Sequence, residues 1–202
     1  MMKRIILIGA SGHGKVVADI ARLNGYEEIS FLDDNIEITS CGKYPVIGTS
    51  RDYKDIDCDF FVSIGNTEVR KRLIEQLISE NKHLPTLIHP HAVIAEDALF
   101  GYGSVIMAGV VINPGAVIGN GCIINTCSSV DHDCIIGDYV HVSVGARVCG
   151  SVIIGDETWV GADATVINNI SICKKSLIGA GAVVIHNLSE SGTYVGVPVK
   201  KV

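Results

Sequence analysis

The sequence carries no excess of positive charge. Sixteen lysines and arginines stand against 22 aspartates and glutamates, for a formal net charge of −6. Non-specific nucleic-acid binding needs a basic footprint, so that class is excluded. No apolar run approaches the ~18 residues needed to cross a bilayer, and no membrane insertion is expected. Met1-Met2-Lys3-Arg4 followed by Ile5-Ile6-Leu7-Ile8 has the order of a secretion signal, but the apolar run stops at Gly9 and reads as a buried strand. The seven cysteines are odd in number, scattered and without a C-x-x-C pair, which fits a reduced cytoplasm better than a disulfide framework. Zinc-ligand spacing is absent, as is the G-x-S-x-G elbow of a serine hydrolase, so neither a metal nor a catalytic triad is expected.

What is present is a repeat. From Ile88, every sixth residue is Ile or Val with a single Phe: Ile88, Ile94, Phe100, Ile106, Ile112, Ile118, Ile124, Val130, Ile136, Val142, Val148, Ile154, Val160, Val166, Ile172, Ile178 and Val184. Four residues after each stop the side chain is small or branched, as at Ala92, Ser104, Ala116, Cys122, Ser128, Cys134 and Ala146. A period of six matches neither the 3.6 of a helix nor the alternation of a strand. It is the hexapeptide signature of a parallel β-helix, in which each short strand buries one aliphatic residue between the coils above and below. Cys122 and Cys134 fall on the small-residue position and read as core packing.

The first part of the chain has a different texture. Arg4–Ile8 reads as a strand, Gly9–Gly14 as a turn, and Lys15–Leu23 as a helix closed by Asn24-Gly25. Ile29–Leu32 and Phe60–Ile64 read as further strands, the second followed by Gly65-Asn66 and a helix from Thr67 to about Glu80. Strands alternating with helices imply a small parallel, Rossmann-like sheet. The expected organisation is therefore mixed: an α/β domain over residues 1–85 and a β-helix domain over 86–202, with a tail from His186 capping the open end.

Between strand and helix, Gly9-Ala10-Ser11-Gly12-His13-Gly14 sits where backbone N–H groups favour a phosphate. It is neither G-x-G-x-x-G nor a complete P-loop, because Val16 follows Lys15. Glycine geometry alone could explain it. Asp33 and Asp34, about twenty residues on at the end of the second strand, favour a ribose-binding role. Gly65 and Asn66 could reach the same crevice, which suits a mononucleotide or nucleotide-sugar.

Of seven histidines, His83, His89, His91 and His186 read as surface or packing residues. His132 and His141 belong to successive six-residue repeats. Asp131 and Asp133 flank His132, and a carboxylate beside an imidazole fixes its tautomer and raises its basicity. A solvated Asp-His-Asp corner is the plain alternative.

Taken in order, Gly9–Lys15, Phe31-Leu32-Asp33-Asp34, Ile64-Gly65-Asn66, Asn125-Thr126, Asp131-His132-Asp133-Cys134, His141–Ala146 and Val195–Pro198 resemble the hexapeptide-repeat sugar acyltransferases. The nearest branch is the PglD-type nucleotide-amino-sugar N-acetyltransferases, with the NeuD-type O-acetyltransferases as relatives. The resemblance implies a left-handed β-helix, a homotrimer and an acetyl-CoA site between neighbouring subunits. It implies that His132 is the general base and Asp133 the carboxylate that strengthens it, where relatives often carry Glu. It further implies that His141, Ala162 and Ala180 contact acetyl-CoA and that Asn125 orients the sugar. Ser11, Gly12, His13, Asp33, Asp34 and Gly65 would hold the nucleotide-sugar, with UDP as the expected nucleotide. On this reading a 4-amino group attacks the thioester directly, His132 accepts its proton and a backbone N–H stabilises the oxyanion. A sugar O-acetyltransferase, a non-catalytic nucleotide-sensing scaffold and an enzyme with a non-nucleotide acceptor remain alternatives at this point.

Overall fold

The structure, a computed structural model, describes residues 2–202. It divides into two compact units, with the division between Ile88 and His89, a few residues beyond the boundary read from the sequence.

The first unit opens with β1 (Arg4–Ile8), α1 (Gly12–Leu23) and β2 (Glu28–Leu32). A short hairpin of β3 (Ser40–Cys41) and β4 (Tyr44–Pro45) follows, then β5 (Asp59–Val62) and α2 (Thr67–Ser79). β1 lies between β2 and β5 in a parallel three-stranded sheet. Ile5, Ile6, Leu7 and Ile8 are buried in a run, as a strand covered on both faces must be. Helix α1 turns Val17, Ile20 and Ala21 inward, and α2 does the same with Leu73, Ile74 and Leu77.

Helix α1 starts at Gly12, earlier than the sequence pattern suggests, because Ser11 occupies the extended N-cap position. Two glycines make the entry possible. Gly9 has φ +111°, and a Cβ on Gly14 would lie 2.4 Å from the Gly9 carbonyl oxygen. The helix therefore approaches the strand more closely than any side chain allows.

The second unit is a parallel β-helix with three faces. Strands on each face pair with strands eighteen residues away, as Val111 with Ser129 and His141 with Trp159. The first face carries Val93–Ile94, Val111–Ile112, Ser129–Val130, Arg147–Val148, Thr165–Val166 and Val183–Val184. The second runs from Leu99–Phe100 through Ile135–Ile136 to Ser171–Ile172. The third includes Val105–Ile106, Ile123–Ile124, His141–Val142, Trp159–Val160 and Ser176–Ile178.

The sixth-residue aliphatics from Ile106 to Val184 form the buried column, each contributing roughly 1.5–3 kcal/mol by burial. Small residues line the inside of the corners. Where these are polar, the hydroxyl bonds a corner carbonyl: Ser104 to Gly119 at 2.8 Å and Ser128 to Asn125 at 2.7 Å. From residue 103 to residue 181 each corner carries one left-handed residue, filled by glycine at 103, 109, 115, 121, 145 and 181. Non-glycine residues fill it at Cys127, Asp133, Tyr139, Ser151, Glu157, Asp163, Asn169 and Lys175. Beyond the last coil, Gly192–Val195 adds in parallel to Ser176–Ile178 and Lys200–Lys201 returns antiparallel.

Candidate active site

Val130 ends a strand of the first face, and the chain turns the corner to the second through Asp131, His132 and Asp133. Asp133 takes the left-handed conformation, with φ 57°. That turns its carboxylate back so that Oδ2 lies 2.8 Å from His132 Nδ1. Aspartate is long enough for this contact. A carboxylate can only accept here, so Nδ1 carries the proton and Nε2 keeps its lone pair. The Asp133 bond, with the Asp131 charge, holds the His132 pKa above its ordinary value. Asp131 Oδ1 accepts from Asn113 Nδ2 at 2.6 Å and from the His132 backbone N–H at 2.8 Å. Those bonds keep the Asp131 carboxyl below its usual range. Burial pushes the neighbouring Cys134 thiol up, as befits a core residue and not a nucleophile.

His141 lies elsewhere. It opens a strand of the third face, nearly buried, with Nε2 3.1 Å from Asn125 Nδ2. Asn125 stands at the corner between the third and first faces. Trp159, one coil on, stacks on the His141 ring and donates from Nε1 to Ser143 Oγ at 2.6 Å. Beside Trp159 is an apolar cavity of about 350 Å³, lined by Ser143, Trp159, Ala162, Leu177 and Ala180 among others. Small residues at 162 and 180 keep it open. The first face thus separates His132 and Asp133 from Asn125, His141, Ala162 and Ala180. Nine residues of sequence, half a coil, put the two histidines on different sides.

The first unit gathers a third set at the carboxyl ends of its strands. Asp33 Oδ2 accepts from the Ala10 N–H at 2.7 Å and Oδ1 from the Asn35 N–H at 2.9 Å, tying β2 to the glycine turn. Asp34 Oδ1 accepts from the Ser50 N–H at 2.9 Å, which holds its pKa low. The Ser11 side chain makes no capping bond. His13 Nε2 is buried with no hydrogen-bond partner among the described residues, and burial, with Arg70 nearby, lowers the His13 pKa to about 4. The imidazole is therefore neutral.

Arg70, fully buried, donates from Nη1 to the Ile64 and Gly65 carbonyls at 3.1 and 2.8 Å and fixes the turn before α2. A cleft lined by Gly9, Asp33, Asp34, Ile64 and Arg72 adjoins a larger cavity of about 430 Å³ with Arg51, Lys54, Tyr53 and Gln76 in its wall. The two share Asp34, Ser50, Arg72 and Leu73. The cations and Arg70 escape a reading of motifs because they lie on α2 and in an irregular loop. No group of three or more His, Cys, Asp or Glu among the described residues is placed to hold a metal.

Residues 4–77 match the family model of the PglD N-terminal domain. The solved acetyltransferase domain of PglB from Neisseria gonorrhoeae FA1090, in complex with acetyl coenzyme A, is 37% identical over 100% of both chains with a TM-score of 0.97. The chain belongs to the PglD family of acetyltransferases. PerB from Caulobacter crescentus, solved with CoA and GDP-perosamine, is 32% identical over 100% of this chain and 98% of that one, at a TM-score of 0.93. UDP-N-acetylbacillosamine N-acetyltransferase of Bacillus subtilis (strain 168) is 36% identical over 113 residues, 53% of this chain and 52% of the relative. The match to that curated relative thus spans about half its length.

Proposed function

We propose that the chain transfers the acetyl group of acetyl-CoA to the 4-amino group of a nucleotide-linked amino-deoxysugar, with His132 as general base. The observation that carries this is the 2.8 Å contact of His132 Nδ1 with Asp133, which leaves Nε2 as an exposed base. The neutral amine attacks the thioester carbonyl and the C–N bond forms. The amine proton passes to His132 Nε2, the C–S bond breaks, and the thiolate of CoA recovers the proton. General-base assistance supplies about 10²–10⁴-fold, and alignment of amine and thioester supplies more. A backbone N–H of the coil is assigned to the oxyanion.

Acetyl-CoA suits the cavity beside Trp159, where Ala162 and Ala180 leave room for pantetheine and His141 borders the wall. Because the first face parts this cavity from His132, a complete site needs a second copy of the chain, and the homotrimer supplies it. Asn125 of one copy would then orient the sugar beside the base of its neighbour. The strand-end cleft takes the nucleotide. Ser11, Gly12, His13 and Gly65 face the diphosphate, and Asp33 and Asp34 face the ribose and base. UDP is the proposed nucleotide, and the cytoplasm, where such substrates are made, the proposed setting.

The test is thiol release from acetyl-CoA with UDP-, dTDP- and GDP-linked 4-amino-4,6-dideoxy sugars and with free sialic acid, for wild type and His132→Ala. Turnover with an amino sugar, lost in the variant while the trimer persists, is the expected result. Turnover with sialic acid alone, or an unimpaired variant, would overturn it.

A further inference from the structure

The position one coil above His132 is Gly150, and the imidazole occupies the space a side chain there would fill. A Cβ built on Gly150 would lie 2.5 Å from Nε2, 2.6 Å from Cε1 and 3.1 Å from Cδ2 of His132. Backbone conformation does not call for glycine here. The left-handed residue of this corner is Ser151, and Gly150 is not in that region. The same column carries Pro114 below and Asn168 above, so glycine is no general requirement of the corner either.

We infer that Gly150 is a positioning residue for His132: its missing side chain lets the imidazole lie against the next coil, within reach of Asp133 and with Nε2 held in a fixed direction. The coil below completes the hold. Asn113 secures Asp131, and Asp131 secures the His132 backbone N–H. The main chain is thus fixed from beneath while the ring is seated from above. Any Cβ at 150 displaces the ring, and because the ring is exposed it can swing away without unfolding the coil. The cost then falls on the Asp133 contact and on the direction of Nε2. Asp131 and Asp133 are the charged groups facing the ring. Asn113, the Gly150 backbone and the Cys149 thiol, which burial holds neutral, bring no charge from the coils on either side. This inference rests on the reading of His132 as base.

The experiment compares Gly150→Ala, His132→Ala and the double variant, each as intact trimer, by steady-state kinetics across pH. For Gly150→Ala we expect kcat to fall about 10- to 100-fold, as misplacement of a reacting group by ~1 Å does. KM for acetyl-CoA and for the nucleotide-sugar should stay within about twofold. The acid limb of kcat/KM should move to lower pH as the Asp133 bond weakens. In the His132→Ala background the same substitution should change the residual rate by less than about twofold, since the ring is gone.

An inactive His132→Ala with wild-type kcat and acid limb in Gly150→Ala sinks the positioning role alone. So does a rate loss with an unmoved limb that recurs in the double variant. Full activity in His132→Ala sinks the base assignment instead. Should Gly150→Ala fail to fold, the double variant decides: folding when the ring is removed upholds the packing argument, and failure to fold overturns it.

Discussion

His141 and Trp159 lie eighteen residues apart and face one another, ring centroids 5.1 Å apart and planes inclined by 19°. The tryptophan is anchored by its N–H to Ser143 and remains substantially exposed on its other side, beside the apolar cavity. A fixed indole with one free face is a wall for a ligand and costs little ordering on binding.

Trp159→Ala should therefore weaken acetyl-CoA binding. Loss of stacking and of buried apolar area together amount to about 1–2 kcal/mol, a rise in KM for acetyl-CoA of roughly five- to thirtyfold. KM for the nucleotide-sugar should not move. Calorimetric titration of CoA into wild type and variant checks the direction independently of turnover, and equal affinities would refute it.

Asp133→Asn tests the base. In the folded protein the His132 pKa is raised by the Asp133 bond, and the base works only when neutral, so activity appears as pH rises through that pKa. Removing the carboxylate lowers the pKa toward the ordinary value. The acid limb should shift to lower pH while the plateau of kcat drops, because a weaker base is also a less effective one. A limb that stays in place, read from kcat/KM between about pH 5 and 9, would show that Asp133 does not tune the imidazole.

His13 governs a different pH response. Its folded pKa is depressed to about 4 from an ordinary 6.5, so the unfolded chain binds more protons between those values. The stability associated with the neutral ring is complete above about pH 6.5 and is lost progressively as pH falls toward 4, by up to about 3 kcal/mol. His13→Gln, which cannot charge, should lose less stability over that window. Urea denaturation at pH 7.0 and 5.0 measures the difference, and parallel losses in the two proteins would refute it.

Much of the fold could be read from residues. The six-residue register is kept in space because each coil is three such steps, and the aliphatics at 106, 112 and 118, one from each face, all turn into the same core. Helix ends were legible where side chains mark them, as with Asn66, whose Oδ1 accepts the Val69 N–H at 3.0 Å. His132 with Asp133 was legible because the pair is contiguous. The separation of His132 from His141 was not, since a repeat of six conceals which of three faces a residue occupies. Trp159 and Gly150 were missed for the same reason, although counting by eighteen from His141 and His132 finds both. Arg70 follows from no period: its carbonyl partners come from an irregular turn.

The eighteen-residue step also sets how this molecule can change. Its unit of inheritance is the vertical column, so a substitution at one position is judged by the occupants eighteen residues either side more than by its sequence neighbours. Removing one whole coil, residues 139–156, would leave every strand in register and the core column continuous. It would nonetheless bring Asn168 down over the imidazole where Gly150 had stood. A chain of this design can keep its fold when a coil is lost, but the coil directly above its histidine cannot be exchanged for the next without crowding the ring.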